Sequence, residues 1–232
     1  MIKIENVEVV GWESAIRGMR NPMNSWDKSD SWYGCPYGEN DHTESKYCHN
    51  SCHNDCDFCV GDNDLDLMKR LVKAGTDHRK FMRMIVVYAD ITAPLYWWKE
   101  ADTYKVGTVR NSCSTMHKIT EKEFTLNDFS CEHLFTSDIS EKGTPLGLMK
   151  NIIDMLNIYR TEYLNSKDKS DWWQLIQLLP SSYNQRATVM VNYEVLSNIY
   201  HSRKNHKLDC WIDFCKWIET LPYSELIIGD KK

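Results

Sequence analysis

The stretch "PLGLMKNIIDMLNIYRTEYL" constrains this chain more than any other. Leu146, Met149, Ile152, Ile153, Leu156 and Tyr163 recur in it at helical spacing and form one apolar stripe. A stripe of that length leaves water only against another apolar surface, so the segment demands packed partners. They are present. "SDWWQLIQLLP" reads as a second helix, with Ser170 as its cap and Pro180 at its end. Two more helices are expected at roughly 187–203 and 208–220.

Toward the N-terminus the period changes. "IKIENVEVVG" alternates apolar and polar residues, as an opening strand does. "NDLDLMKRLVKAG" returns to helical spacing: Asn63 or Asp64 suits its cap, Leu65, Met68, Leu71 and Val72 share a face, and Gly75 stops it. "KFMRMIVVYADIT" reads as a buried strand, and Pro94 suits the first turn of a helix carrying "LYWWKEADTY". Residues 105–145 show no clear period. This order implies an α+β fold, a mixed sheet packed with several helices in a single domain over residues 1–232. Residues 20–62, polar and turn-rich, form a Cys-rich insertion within it.

Composition narrows the partners. The net charge of −5 and the lack of a long basic run disfavour a surface for duplex nucleic acid, although a pocket for one nucleotide needs only a few local cations. No run approaches the ~18 apolar residues of a membrane span, and "MIKIENVEVVGW" is too charged and short for a signal peptide. A cytoplasmic protein is expected. In a reducing compartment the cysteine cluster of "CHNSCHNDCDFC" signifies free thiols or a metal rather than structural disulfides. Cys48, Cys52, Cys56 and Cys59 offer the four soft donors of tetrahedral zinc. Their crowded spacing fits a metal-free polar loop as well, and an iron–sulfur cluster is chemically open to them.

Three groups of polar residues are candidates for binding. In "VRNSCSTMHK", Arg110, Asn111, Ser112, Ser114 and Thr115 gather small donors around one cation, a composition suited to phosphate or carbonyl recognition and equally to a polar loop. His78 and Arg79 occupy a helix-to-strand turn, where ligand-binding residues collect and where solvated histidines are also common. On a helix, Asn192 and Arg203, eleven residues apart, project about 20° from one direction and share a line with Leu196 and Ile199. Two polar ends and an apolar stripe could grip a flat ligand; alternatively Arg203 pairs with a carboxylate and the asparagines cap or face water. Asn198 and Glu194 lie on another face, open to a second subunit. Two tryptophan pairs, in "LYWWKE" and "SDWWQL", suit core or subunit packing, and Cys113 has no evident neighbouring base.

Two segments together resemble the flavin-dependent thymidylate synthases. One is the run "DLMKRLVKAGTDHRKFMRMIVVYADITAPLYWWKEADTYKVGTVRNSCSTMHK", where the family has a helix ending in a Gly-His-x-Ser/Thr turn, a strand, and then an Arg-His-Arg-x-x-Ser-x-Asn-x-x-Ser-x-Arg-Tyr signature. Asn111 and Ser114 match the signature's asparagine and second serine. The other is "NYEVLSNIYHSR", in which Asn192 and Arg203 match the family's Asn-Leu-Arg helix and its later arginine, and Asn198 falls at a flavin-contacting position. The departures cluster at the cations: Tyr104-Lys105-Val106 replaces Arg-His-Arg, Met116-His117 replaces Arg-Tyr, Thr76 replaces the turn's histidine, and Glu194 replaces the helix arginine. The family's arginines hold the flavin and dUMP phosphates, so a carboxylate at such a place turns attraction into repulsion. Lys105, Arg110 and Lys118 could compensate.

The resemblance implies a methyltransferase of dTMP biosynthesis, a homotetramer with sites at subunit interfaces. It would transfer a one-carbon unit from methylenetetrahydrofolate to a uracil nucleotide with FAD. Under it Arg203 is catalytic and orients the pyrimidine. His78, Asn192 and Asn198 contact the flavin, and Lys105, Arg110, Asn111, Ser112 and Ser114 hold substrate. The lost arginines motivate an alternative, a non-catalytic protein of the same fold that binds or sequesters another nucleotide.

Overall fold

The structure is a computed structural model that describes residues 2–33, 58–137 and 143–229. Four strands, β1 (Lys3–Val10), β4 (Val86–Pro94), β5 (Thr108–Ser112) and β6 (Asn184–Asn192), form a sheet in the order β1-β4-β6-β5. Two short strands, β2 (Trp32–Tyr33) and β3 (Phe58–Cys59), pair antiparallel, Trp32 opposite Cys59. The helices are α1 (Trp12–Arg20), α2 (Asp62–Lys73), α3 (Leu95–Ala101), α4 (Thr115–Lys118), α5 (Pro145–Ser166), α6 (Lys169–Leu178), α7 (Tyr193–Arg203), α8 (Asp209–Ile218) and α9 (Glu225–Ile228). The fold is α+β. No helix among the described residues is long and apolar enough to cross a membrane.

The chain divides into two compact units. The first unit comprises residues 1–5, 90–103 and 110–189. Its core is the stripe read from the sequence: Met149, Ile153 and Leu156 of α5 pack with Leu175 of α6 and with Ile119, Phe124 and Phe129. Thr144 caps α5 by accepting from Gly147 N–H at 2.8 Å, and Asp168, not Ser170, caps α6, accepting from Ser170 N–H at 2.8 Å. The N–H groups of Leu95 and Tyr96 open α3 against the carbonyls of Tyr183 and Ser181, both at 3.0 Å. Trp97 and Trp98 are buried, whereas Trp173 of the second pair stands exposed.

The second unit comprises residues 6–89, 104–109 and 190–232. Here α7 packs on α8 and α9, with Tyr193, Leu196, Trp211, Ile218 and Leu226 fully buried. A buried ion pair fastens its N-terminal part. Arg20 Nε donates to Asp64 Oδ1 at 2.6 Å, and Asp64 Oδ2 accepts from Ser29 Oγ at 2.7 Å and Ser31 Oγ at 2.6 Å. Burial works to raise the Asp64 pKa, and the bonds from Ser31, Ser29 and Arg20 outweigh it, holding the carboxyl below its ordinary value. Neither Asn63 nor Asp64 caps α2. That role falls to Asp30, whose carboxylate accepts from the N–H groups of Asn63 at 2.9 Å and Asp64 at 3.1 Å.

Two spans differ from the periodicity reading. "KFMRMIVVYADIT" begins as a 3₁₀ turn, Lys80–Arg83, and becomes strand only at Val86. The span expected as a helix from 187 is strand β6 to Asn192, and the helix starts at Tyr193. Ala187, Val189 and Val191 are buried alternately along it, the period of two that a one-sided strand shows. Of the insertion, residues 20–33 and 58–62 are described and hold two 3₁₀ turns, β2, β3 and the start of α2. Cys48, Cys52 and Cys56 lie outside the described residues, and Cys59 is buried in β3. Among the described residues no group of three His, Cys, Asp or Glu is placed to hold a metal ion, and zinc gains no support.

Candidate functional site

Within the first unit a cavity of about 400 Å³ opens where three strand ends converge. Thr92 of β4, Cys113–Thr115 after β5, Lys118 at the end of α4, and Tyr183–Arg186 at the start of β6 line it, with Glu121, Lys122, Asn127 and Asp128. Backbone pairing sets the wall: Cys113 N–H donates to the Arg186 carbonyl at 2.9 Å, and Gln185 Nε2 to the Cys113 carbonyl at 2.8 Å. Ser114 accepts from His117 N–H at 3.1 Å and so starts α4.

Three cations and two carboxylates meet in this lining. Lys118 pairs with Glu121 and Lys122 with Asp128. Arg186 Nη2 donates to Asp90 Oδ2 at 2.8 Å, while Thr188 Oγ1 takes Oδ1 at 2.5 Å. Burial works to raise the Asp128 pKa; the bonds from Lys122 and Thr125 prevail and keep it below the ordinary carboxylate value. The Asp90 hydrogen bond raises that of Arg186, and burial raises that of the Tyr183 phenol. With hydroxyls from Thr92, Ser114 and Thr115 alongside, the lining suits an anionic ligand of nucleotide size.

Of the residues expected to hold substrate, Ser114 lines the cavity. Arg110 is committed elsewhere: its Nη1 stands 3.0 Å from Asp102 Oδ1 and its guanidinium lies 4.7 Å over the Trp98 ring. Asn111 and Lys105 are exposed, and Ser112 is half-buried in β5. Arg186 and Lys122 did not figure in the sequence reading. The signal for Arg186 was the alternation of "QRATVMVN", which places Arg186 and Thr188 on the face opposite Ala187 and Val189.

The second unit positions the α7 residues differently from the eleven-residue helical line. Asn192 ends β6, and its Oδ1 caps α7 by accepting from Val195 N–H at 3.0 Å. Leu196 and Ile199 are buried, so the stripe between Asn192 and Arg203 faces the core and covers no ligand. Glu194, 7% exposed, turns inward: Arg79 Nη2 donates to its Oε1 at 3.1 Å, and Arg79 Nε stands 3.0 Å from Oε2. It therefore presents no surface to a second subunit, and the feared anion repulsion is cancelled by its own guanidinium. Asn198 and His78 are exposed. Arg203 Nε donates to Tyr104 Oη at 3.0 Å, Nη1 lies 3.0 Å from His206 Nε2, and the guanidinium sits 4.9 Å over Trp211.

Gly107 ties the signature segment to α7. Its φ of +82° is a left-handed conformation, and an added Cβ would come within 2.7 Å of Asn192 Nδ2. Gly107→Ala is expected to cost about 1–2 kcal/mol from backbone conformation alone. A lower urea midpoint at unchanged slope would register it.

No family model matches the sequence, and no curated protein matches it. Solved structures do. Thymidylate synthase X from Helicobacter pylori, crystallised with FAD and dUMP, superposes with a TM-score of 0.63 at 14% identity, covering 98% of this chain and 98% of that one. The UMP/dUMP methylase PolB from Streptomyces cacaoi, bound with 5-Br UMP, gives a TM-score of 0.57 at 12% identity over 95% of this chain and 88% of that one. The chain has the fold of the flavin-dependent thymidylate synthases.

Proposed function

We propose that this chain, built on the thymidylate synthase X fold, binds a uracil nucleotide and transfers a one-carbon unit to its pyrimidine. The observation that carries the reading is the cavity at Ser114 and Arg186. It lies on the segment that resembles the family signature, and its three cations line open space where a nucleotide phosphate would share them with Glu121, Asp128 and Asp90. The similar structures were crystallised with dUMP or a bromo-uridine nucleotide, ligands of this class.

Arg186, Lys118 and Lys122 would hold the phosphate, with Ser114 and Thr115 donating hydroxyls and Asp90 orienting Arg186. In the second unit Arg203, held by Tyr104, His206 and Trp211, would meet a pyrimidine ring, as the family resemblance implies. FAD is the cofactor of this reading. Its ring would meet the donors His78, Asn198 and the Nδ2 of Asn192. Its phosphates find less, because Arg79 is engaged by Glu194. When bound, the flavin supplies the hydride that the transferred carbon requires. Methylenetetrahydrofolate as donor, a cytoplasmic setting and a homotetramer belong to the same proposal.

Two measurements test it. The purified protein should absorb in the flavin region, alone or after reconstitution with FAD. With methylenetetrahydrofolate and a reductant it should release tritium from a uracil nucleotide labelled at C5. Nucleotide binding without tritium release would leave the non-catalytic alternative, which the committed Arg79 and Arg110 favour. Absence of both would refute the proposal.

A further inference from the structure

We infer that Tyr104 and His206 are positioning residues for Arg203, fixing the plane in which its guanidinium meets a ligand. The inference rests on the assignment of Arg203 to the pyrimidine. It also gives a role to the residue found where the resembled signature carries its first arginine.

A guanidinium is planar, and its use in recognition depends on that plane being set beforehand. Three contacts at different points set it here. Nε, at the root of the group, donates to Tyr104 Oη at 3.0 Å. Nη1, at its edge, lies 3.0 Å from His206 Nε2. Its Cζ lies 4.9 Å over the centre of the Trp211 ring and 5.7 Å over that of Tyr104. Attraction between a cation and a ring face strengthens as water is excluded, and Trp211 is fully buried.

The holders are themselves held. Trp211 is fully buried in α8 and meets Phe214 edge-on at 5.9 Å. The Tyr104 ring meets Trp211 edge-on at 6.2 Å. Leu208 N–H donates to His206 Nδ1 at 3.2 Å, while Nε2 of the same ring faces Arg203 Nη1, so the imidazole is held at both nitrogens.

The same position thus serves a different task in this chain. An arginine there would add charge toward a phosphate. A tyrosine adds none and instead directs the charge already present at Arg203. The change is compensated locally, as that at Glu194 is by Arg79.

The test uses the full chain and the variants Tyr104→Phe, His206→Ala and His206→Gln, with melting temperatures confirming that each folds. Nitrogen-15 NMR reads the Nε–H of Arg203, assigned with Arg203→Lys. In the unaltered chain this proton should exchange slowly with water. Exchange should accelerate at least tenfold in Tyr104→Phe and in His206→Ala, and return toward the original rate in His206→Gln, which restores an acceptor. With a uracil nucleotide that turns over, Tyr104→Phe should lower kcat about tenfold and leave KM within twofold. Unchanged exchange in Tyr104→Phe overturns the inference, as does unchanged kcat in an active enzyme. A chain with no turnover at all refutes the proposed reaction, while the exchange rates still decide whether Tyr104 and His206 hold Arg203.

Discussion

Replacing Asp64 with alanine is expected to destabilise the fold by about 3–5 kcal/mol, the cost of leaving one partner of a buried ion pair uncompensated. Arg20 and Asp64 are 4% and 0% exposed, so water cannot replace the lost carboxylate. The damage would spread, because the same carboxylate collects Ser29, Ser31 and the Asp30 N–H. Asp30 in turn caps α2, and Gly61 lies so close that an added Cβ would fall 2.3 Å from the Asp30 carbonyl oxygen. Asp64→Asn should be milder at neutral pH and diagnostic in acid. The folded pKa of Asp64 lies below its ordinary value of 3.8, so its contribution is complete above the unfolded pKa. It disappears as the pH falls through the depressed folded value. Urea midpoints from pH 7 down to about 3 should therefore decline less steeply in Asp64→Asn than in the unaltered chain.

Arg186→Ala is expected to weaken binding of a uracil nucleotide roughly ten- to hundredfold, equivalent to losing one charge-assisted hydrogen bond. Two effects add. The variant removes a cation from the cavity lining, and it takes the Arg186 donor away from the Asp90 carboxylate, which Thr188 also bonds. Asp90→Asn in the Arg186→Ala background should recover part of the loss by removing a negative charge beside the ligand's phosphate. Raising the salt concentration should weaken the unaltered protein more than Arg186→Ala, since less charge pairing remains to be screened in the variant. Equal salt dependence would mean that Arg186 does not meet the phosphate.

How far the sequence revealed this depends on which residues announce themselves. The α5 stripe predicted its own burial, because a helical period is local and survives any tertiary arrangement. The match of Asn111, Ser114, Asn192 and Arg203 to a family pattern located the two regions where polar residues gather. Arg186 escaped because it precedes the run "ATVMVNYEV", whose spacing fits a helix from about 187 although its apolar residues alternate up to Asn192. A strand of nine residues running straight into a helix offers no turn residue to mark the change. Glu194 misled for a different reason. Seen alone it is an anion at a phosphate position, and its neutralising partner, Arg79, lies 115 residues earlier in the chain. Ion pairs of that separation leave no periodic trace. Arg110 shows the converse: a cation among small donors reads as a binding loop, and its pairing with Asp102 and its place over Trp98 leave no mark in the local sequence.

Calorimetric titration of the purified full chain with UMP, dUMP and uridine addresses the central claim, that the cavity at Ser114 and Arg186 receives a uracil nucleotide by its phosphate. The account predicts saturable binding of at least one of the two nucleotides, with uridine at least tenfold weaker. Uridine binding as tightly as the nucleotides, or no binding of UMP and dUMP with or without FAD, would contradict it.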